Sequence, residues 1–307
     1  MTIYTCSTGA NKLKNICFIL NPNGGDKTSG KIFDQVKNTF KKENFYLEHF
    51  ETEWRGHAYD YGKNLSFNKY DCVCIIGGDG TMHEFLNGML DRGDKRKIPL
   101  GLIPGGTGNS FMRDLNCLIP EDAAKRIVSG KIRYIDILKI QNEENVYFCF
   151  NVVGWGIPTA VVEKAEILRW FGKQRYNIAA IWEILKNEKR YAKILINGNK
   201  IEGNFGFIMG SNTMHAGNGM KVAPEAKIDD GLIDLIIVKN SSRIRYLSLF
   251  PRIFDGTHVK DDIVQYLKVE RFSIIPENNS KLTIDGEVYG STPINVEVIP
   301  KAIEVIV

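Results

Sequence analysis

The sequence predicts an α/β N-terminal domain with a parallel, Rossmann-like sheet and a C-terminal antiparallel β-sandwich domain with a helical insertion. Three observations support this fold class. The 307 residues exceed the size at which one hydrophobic core usually stops growing, so two domains are expected. Short apolar runs alternate with helix-like stretches in the first third of the chain. From about Tyr134, closely spaced runs with a period of two residues replace that alternation.

The first third supplies the predicted parallel sheet. Its strands are expected at Ile16–Leu20, Tyr46–Phe50, Cys72–Ile76 and Pro99–Ile103. Its helices are expected at Lys31–Lys42, His57–Leu65, Thr81–Leu90 and Glu121–Ser129. Ligands of such sheets bind at the carboxyl ends of the strands, which is where the glycine clusters of this sequence fall.

The rest of the chain predicts mostly antiparallel strands, with turns at Asn197-Gly198 and Asp230-Gly231. The sequence therefore predicts domains at residues 1–133 and 134–307. It is also compatible with residues of about 300–307 belonging to the first domain. A helical insertion is expected at about 158–189 and a short helix near Arg243–Phe254. The predicted strands are Tyr134–Ile140, Val146–Val153, Ala192–Ile196, Phe205–Met209, Leu232–Val238, Tyr266–Ile275, Leu282–Ile284 and Ile294–Ile299.

Composition narrows the function classes. The net charge of +4 is mildly basic and lacks the concentrated footprint of a nucleic-acid binder, so no nucleic-acid role is expected. Six scattered cysteines indicate reduced thiols in a cytoplasmic protein without a zinc site. No signal peptide or membrane-spanning run is recognised in the sequence, so a lipid substrate would be reached from the aqueous side.

The loop Gly77-Gly78-Asp79-Gly80-Thr81 follows an apolar strand and opens a helix. Its glycines let the backbone approach a polyphosphate, and the helix N–H groups favour negative charge. A carboxylate in this loop repels phosphate unless it binds Mg²⁺ or takes a proton from a nucleophile, so Asp79 requires a chemical role. The alternative is a turn or helix cap without a ligand.

A second loop, Gly105-Gly106-Thr107-Gly108-Asn109, follows the next strand. Either loop alone is compatible with a plain tight turn, but two such loops at neighbouring strand ends would surround one nucleotide. The stretch Gly25–Ile32 nearly spells a Walker A loop but has Ile32 where the Mg²⁺-binding hydroxyl belongs, so that interpretation is rejected. A Rossmann dinucleotide site also fails, because no Gly-x-Gly-x-x-Gly opens the first helix.

Two acidic turns lie downstream. Asp285-Gly286-Glu287 ends a strand, and either solvated turn acids or metal- and proton-handling groups fit this pattern. Asp229 and Asp230 are compatible with a structural cation site or with a simple hairpin turn.

Several motifs together resemble the diacylglycerol kinase and sphingosine kinase superfamily, over nearly the whole chain. They are Asn21-Pro-x-x-Gly, Gly-Gly-Asp-Gly-Thr81-x-x-Glu84, Pro104-Gly-Gly-Thr-Gly-Asn109-Ser-Phe-x-Arg113, Ala223–Gly231 and Asp285-Gly-Glu287. The resemblance implies an ATP- and Mg²⁺-dependent lipid kinase that phosphorylates a hydroxyl of a sphingolipid- or diacylglycerol-type lipid, with the nucleotide between the domains.

The resemblance also implies roles for individual residues. Asp79 would be the general base, and Asp285 and Glu287 would face the phosphates and their metal. The implied nucleotide-binding residues are Asn21, Asn23, Gly77, Gly78, Gly80, Thr81, Glu84, Gly105, Gly106, Thr107, Gly108, Asn109, Arg169 and Arg175. The implied lipid-substrate residues are Asn151, Trp155, Ala160, Val162, Trp170 and Phe171.

Trp155-Gly156 and Leu168–Tyr176 are most similar to the sphingosine and ceramide kinase branch, in which arginines at the positions of Arg169 and Arg175 contact ATP phosphates. Sphingosine kinases place acids shortly after the Trp-Gly pair, whereas this chain has Ala160 and Val162. A sphingoid ammonium would lack its partner there, which favours a neutral lipid alcohol.

Apolar residues recur near helical spacing across the insertion. A packed helix pair explains them, and so does an acyl-chain pocket or membrane-facing lid that touches the membrane transiently. The sequence is also compatible with two alternative functions: a soluble-substrate kinase of the NAD kinase type, and a catalytically idle nucleotide or lipid sensor. The sequence is compatible with a homodimer.

Overall fold

The computed structural model describes residues 14–24, 27–217 and 219–307. The chain forms two compact units. The first extends to Ile135 and includes Lys301–Val307, and the second is Asp136–Pro300. The near-Walker segment begins at Gly25, and both Gly25 and Asp26 lie outside the described residues.

The first unit alternates strands and helices. Its strands are β1 (Asn15–Leu20), β2 (Tyr46–Glu51), β3 (Cys72–Gly77) and β4 (Leu100–Pro104). Its helices are α1 (Ser29–Lys42), α2 (His57–Asn64), α3 (Asp79–Leu90), α4 (Ser110–Asp114) and α5 (Pro120–Ser129), with a 3₁₀ turn at Phe67–Lys69.

The four strands pair in parallel in the order β2-β1-β3-β4. Residues 16–20 and 72–76 are buried, as expected for strands covered on both faces. Parallel pairing brings the carboxyl ends of all four strands to one edge, where Asn21, Gly78 and Gly105 follow β1, β3 and β4.

Helices α2 and α3 cross unusually closely. A Cβ added to Gly88 would lie 2.0 Å from the carbonyl oxygen of Tyr59, and one added to Gly62 would lie 2.2 Å from that of Phe85. Both positions therefore need glycine, because real Cβ atoms do not approach backbone atoms below about 3.0 Å. No local pattern in the sequence predicts this crossing.

The second unit is built from antiparallel strands. They are β5 (Ile132–Gln141), β6 (Val146–Cys149), β7 (Val152–Gly156), β8 (Arg190–Ile196), β9 (Asn199–Ser211), β10 (Ile233–Lys239), β11 (Val264–Val269), β12 (Arg271–Pro276), β13 (Lys281–Ile284), β14 (Glu287–Ser291) and β15 (Ile294–Ile306). β5 begins and β15 ends in the first unit, where β15 pairs in parallel with β4.

Strand β9 organises the second unit, because it pairs with β8, β7 and β10. The strands enclose a core that includes Trp155, Phe272 and Leu282. The predicted turn Asn197-Gly198 joins β8 to β9 with positive φ at both residues, as a two-residue hairpin turn requires. The predicted fold class is confirmed.

Two predicted strands are each two strands in the structure. The run Val146–Val153 breaks after Cys149, and Tyr266–Ile275 breaks at Glu270. Periodicity alone detects neither break, since the apolar pattern continues through both.

The insertion contains α6 (Ile157–Ile167), a 3₁₀ helix at Arg169–Gln174 and α7 (Arg175–Lys186). Helix α8 (Arg243–Asp255) follows later, with Ser242 accepting the N–H of Arg245 as its cap. Among the described residues, the structure contains no helix that is both long and apolar enough to span a membrane.

Candidate active site

The loops after β3 and β4 lie against each other at the carboxyl edge of the first unit's sheet. The N–H of Gly105 donates to the carbonyl of Gly77 over 2.9 Å. A Cβ on Gly106 would lie 2.4 Å from the Cα of Gly78. These glycines are thus needed for contact between the loops themselves. The sequence alone indicates only that they let the backbone approach a phosphate.

Asp79 is the first residue of α3, and its carboxylate lies at the start of α4. Its Oδ2 accepts the N–H of Ser110 at 2.9 Å, and its Oδ1 accepts that of Phe111 at 3.3 Å. Asn109, which precedes α4, supplies no side-chain cap. Asp79 therefore caps α4 from another element, and the two bonds fix the orientation of the carboxylate.

A cap and a proton acceptor are compatible roles for Asp79. A carboxylate has about four acceptor positions, so holding two N–H groups does not conflict with receiving a hydroxyl proton. The sequence is compatible with either role, and in the structure the capped helix is one that begins 31 residues further along.

Asn21 joins the β1 turn to the β3 loop. Its Nδ2 donates to the hydroxyl of Thr81 at 2.9 Å, and its Oδ1 accepts the N–H of Asn23 at 3.1 Å. Asn109 instead closes its own loop, with bonds to the N–H and carbonyl of Gly106. The amide groups of Asn21 and Asn109 thus hold the loops in shape, and their contact with a nucleotide stays a prediction.

Glu84, on α3, binds the start of α2. Its Oε1 accepts the N–H of Gly56 at 3.0 Å. Burial raises the pKa of the Glu84 carboxyl, while bonds from the N–H groups of Gly56 and Ala58 act in the opposite direction. Glu84 thus ties the segment after β2 to the helix that begins with Asp79.

The residues present fit a polyphosphate and a divalent cation at this edge. The first-turn N–H groups of the twelve-residue helix α3 favour an anion. Gly78 and Gly106 carry no side chains that would cover the loops. The Asp79 carboxylate would repel phosphate without a cation, which is the requirement that Mg²⁺ meets. Thr107 is exposed, and Gly108 is half-buried.

In the second unit, Asp285 binds the segment between β6 and β7. Its Oδ1 accepts the N–H groups of Asn151 at 2.8 Å and Val152 at 3.2 Å and the thiol of Cys149 at 3.1 Å, while Oδ2 accepts the N–H of Phe150 at 3.3 Å. This carboxylate is the reason that the run Val146–Val153 is not one strand, because it takes N–H groups that a sheet partner would otherwise bind.

Asp285 is a buried residue, with 6% of its surface exposed. Burial and the neighbouring Asp285 carboxylate both raise the pKa of the Cys149 thiol. Glu287 is half-buried at the start of β14. Asn151 is buried, and its Oδ1 has no hydrogen-bond partner among the described residues. Contacts of these residues with phosphates, metal or lipid stay predictions.

Trp155 belongs to the hydrophobic core of the second unit. It is 2% exposed, and its Nε1 donates to the Ser280 hydroxyl at 2.6 Å. This packing explains the tryptophan without a ligand. A lipid contact for it stays a prediction.

A cavity of about 450 Å³ lies beside α6 and α7. Ala160 lines it together with Glu163 and Glu183, whereas Val162 is not among its lining residues. Glu163 pairs with Lys281 at 2.9 Å. The Oε2 of the buried Glu183 has no hydrogen bond among the described residues and lies 3.8 Å from Arg190. No local sequence signal indicated Glu183 or Arg190 as cavity residues.

The arginines and aromatic residues of the insertion differ in their surroundings. Arg175 lies 3.3 Å from Glu166 and donates to the Tyr176 hydroxyl at 3.0 Å. The side chain of Arg169 lies outside the described residues. Trp170 is 81% exposed and its ring lies 4.4 Å from that of Phe171.

The acidic turn near Asp229 has partners within the second unit. Asp230 accepts the N–H of Leu232 at 3.1 Å and lies 3.5 Å from Lys268. Across residues 14–24, 27–217 and 219–307, no cluster of three His, Cys, Asp or Glu side chains is arranged to hold a metal ion. A structural cation at Asp229 and Asp230 stays a prediction.

Comparisons with known proteins agree with this architecture. A family model for the diacylglycerol kinase catalytic domain matches residues 15–140. Residues 151–307, more than half of the chain, match the YegS C-terminal NAD kinase beta sandwich-like domain.

Individual relatives are named diacylglycerol kinases or sphingosine kinases. A diacylglycerol kinase of Mycobacterium tuberculosis is 31% identical over 77% of this chain and 76% of its own length. Sphingosine kinase 1 of Arabidopsis thaliana is 27% identical over 90% of this chain and 68% of its own. A crystal structure of a diacylglycerol kinase from Bacillus anthracis has a TM-score of 0.78 and 25% identity, covering 96% of this chain and 98% of that one.

Both units are therefore accounted for by one class of phosphotransferase. The chain belongs to the diacylglycerol kinase family of lipid kinases. The resemblance that the sequence motifs indicated is confirmed.

Proposed function

We propose that the chain uses ATP and Mg²⁺ to phosphorylate the hydroxyl of a neutral sphingolipid- or diacylglycerol-type lipid, with Asp79 as general base. The nucleotide would supply the phosphoryl group, and the cation would neutralise its charge. The observation that carries the proposal is the carboxylate of Asp79, which belongs to the first glycine loop and is oriented by the N–H groups that follow the second loop.

The chain's own residues would contribute positioning and charge. The loops of Gly77–Thr81 and Gly105–Asn109 would bind the phosphates through backbone N–H groups. Asn21 and Thr81, joined by their hydrogen bond, would keep the β1 turn beside the β3 loop. Asp79 would hold the lipid hydroxyl and accept its proton, as reactions of this kind require.

The proposed substrate class is supported by the surface of α6. Ala160 offers no charge to the cavity beside it, and Glu163 is already paired with Lys281. The other acids of the cavity, Glu183 and Glu188, both lie within 4 Å of Arg190, so a lipid ammonium group would find little unpaired negative charge in place of its lost hydration. A neutral head group has no such cost, which favours a lipid alcohol such as diacylglycerol or ceramide.

A radiolabel screen tests the proposal. We expect the purified chain to transfer label from γ-labelled ATP, with Mg²⁺, to a neutral lipid in a total lipid extract, and chelation by EDTA should stop transfer. The mobility of the product identifies the acceptor class. Labelling of NAD instead would favour the soluble-substrate kinase, and ATP binding without any labelled product would favour an idle sensor.

Membrane contact is the proposed route to the lipid. The apolar residues Ile167 and Trp170 are 73% and 81% exposed, and exposed apolar residues of this size favour an interface. We expect Trp170→Glu combined with Phe171→Glu to reduce flotation with liposomes by at least about tenfold, because each buried large apolar side chain contributes roughly 1.5–3 kcal/mol.

The matched control for flotation is Tyr46→Glu, which changes a 64% exposed aromatic residue in the first unit. It should float as the unmodified chain does. Equal flotation of the control and the double variant would contradict a membrane-facing role for Trp170 and Phe171.

A further inference from the structure

A column of stacked aromatic rings lies just after β2. The rings of Trp54 and His57 are 3.7 Å apart and 6° from parallel, and those of His57 and Tyr61 are 4.3 Å apart at 18°. The N–H of Glu53 donates to Nδ1 of His57 at 3.1 Å, which holds the middle ring in place. Trp54 is 54% exposed, so much of the indole outside its contact with His57 is open to solvent.

This column belongs to the same sheet edge as the glycine loops. Thr52, at the end of β2, donates its N–H to the carbonyl of Leu20 at 2.8 Å, and Leu20 directly precedes Asn21. Two strand spacings, about 10 Å, separate β2 from β3. A base at the column and terminal phosphates at the β3 loop would therefore be joined by the ribose and the intervening phosphates of one nucleotide.

Helix α3 links the two features directly. It begins with Asp79, and five residues further on Glu84 binds the N–H of Gly56. Five residues of helix rise by about 7.5 Å. The phosphate loop and the segment that carries Trp54 are therefore held at a fixed spacing by one rigid element.

We propose that Trp54 is the platform on which the purine base of the nucleotide stacks. The inference rests on the proposed nucleotide site at this edge and extends it to base recognition. The indole remains 54% exposed although it stacks on His57, and a planar aromatic ring is the ligand that best complements an exposed aromatic face. The exposed, charged neighbours Glu53 and Arg55 oppose insertion of this indole into a lipid surface.

Calorimetric titrations with Mg-ATP and with Mg-tripolyphosphate, which has the phosphates but no base, test the role of Trp54. Loss of a base-stacking partner weakens nucleotide binding, so we expect Trp54→Ala to raise the Kd of ATP about tenfold, which corresponds to about 1.4 kcal/mol. The Kd of tripolyphosphate should not change, and Trp54→Phe should retain most of the ATP affinity.

The matched control is Trp182→Ala, which removes a similarly exposed tryptophan, 56% against 54%, from the second unit. It should bind ATP as the unmodified chain does. The inference is overturned if Trp54→Ala binds ATP normally, or if it loses affinity for ATP and tripolyphosphate equally. If the unmodified chain binds neither ligand, the proposed nucleotide site fails as well, so the two failures are distinguishable.

Discussion

Replacement of Asp79 by asparagine is expected to lower kcat at least about a hundredfold, because general bases typically contribute 10²–10⁴ in rate. Asparagine cannot take the hydroxyl proton. Its amide has one oxygen in place of two, so it cannot keep both bonds that the separate carboxylate oxygens accept from Ser110 and Phe111. Initial rates of labelled lipid formation at saturating ATP measure the effect.

Because Asp79 also caps α4, its loss should cost stability as well as turnover. Asp71→Asn is the control, since Asp71 also accepts two backbone N–H groups, from Lys14 and Asn15, but accepts both on its Oδ2, each at 2.8 Å. Asp79→Asn should lose about 1–2 kcal/mol of unfolding free energy, and Asp71→Asn should lose less, because one amide oxygen can accept both of its bonds. Only Asp79→Asn should lose turnover, and near-normal phosphorylation by it would refute the assignment as base.

Gly106→Ala is expected to abolish measurable ATP binding and to lower the free energy of unfolding by about 1–3 kcal/mol, the usual cost of overpacking. The new Cβ would lie 2.4 Å from the Cα of Gly78, and neither backbone can yield without separating the two loops. Calorimetry with Mg-ATP and denaturant unfolding measure the two effects.

Gly93→Ala provides the comparison, because a Cβ there would meet nothing within 4 Å. This control should bind ATP and unfold as the unmodified chain does. Equal ATP affinity in the two alanine variants would show that the contact between the loops is not needed for the nucleotide site.

The parallel sheet and its glycine loops were predictable because their signals are local. Each apolar run ends in a glycine turn, and parallel pairing brings those turns to one edge. The order of the domains followed from the change of period near Tyr134. Helix α4 was missed because five residues carry little periodicity.

The unpredicted features depend on partners far away in the sequence. The break after Cys149 is caused by Asp285, more than a hundred residues later. The glycines at 62 and 88 are needed only because α2 and α3 cross closely. The pairing of Asp79 with α4 and the stacking of Trp54 on His57 likewise exist only in the folded chain. For the candidate site, sequence therefore located the loops but not the hydrogen bonds that orient them.

The hydrogen bonds that Asp79 and Asp285 accept from the backbone change what their presence means under natural selection. An enzyme that lost its chemistry would usually be free to mutate its catalytic acids. Here both carboxylates hold backbone N–H groups that would otherwise be unsatisfied, so selection for a stable fold alone would retain them. Both carboxylates are therefore under selection for folding, whatever part they take in catalysis.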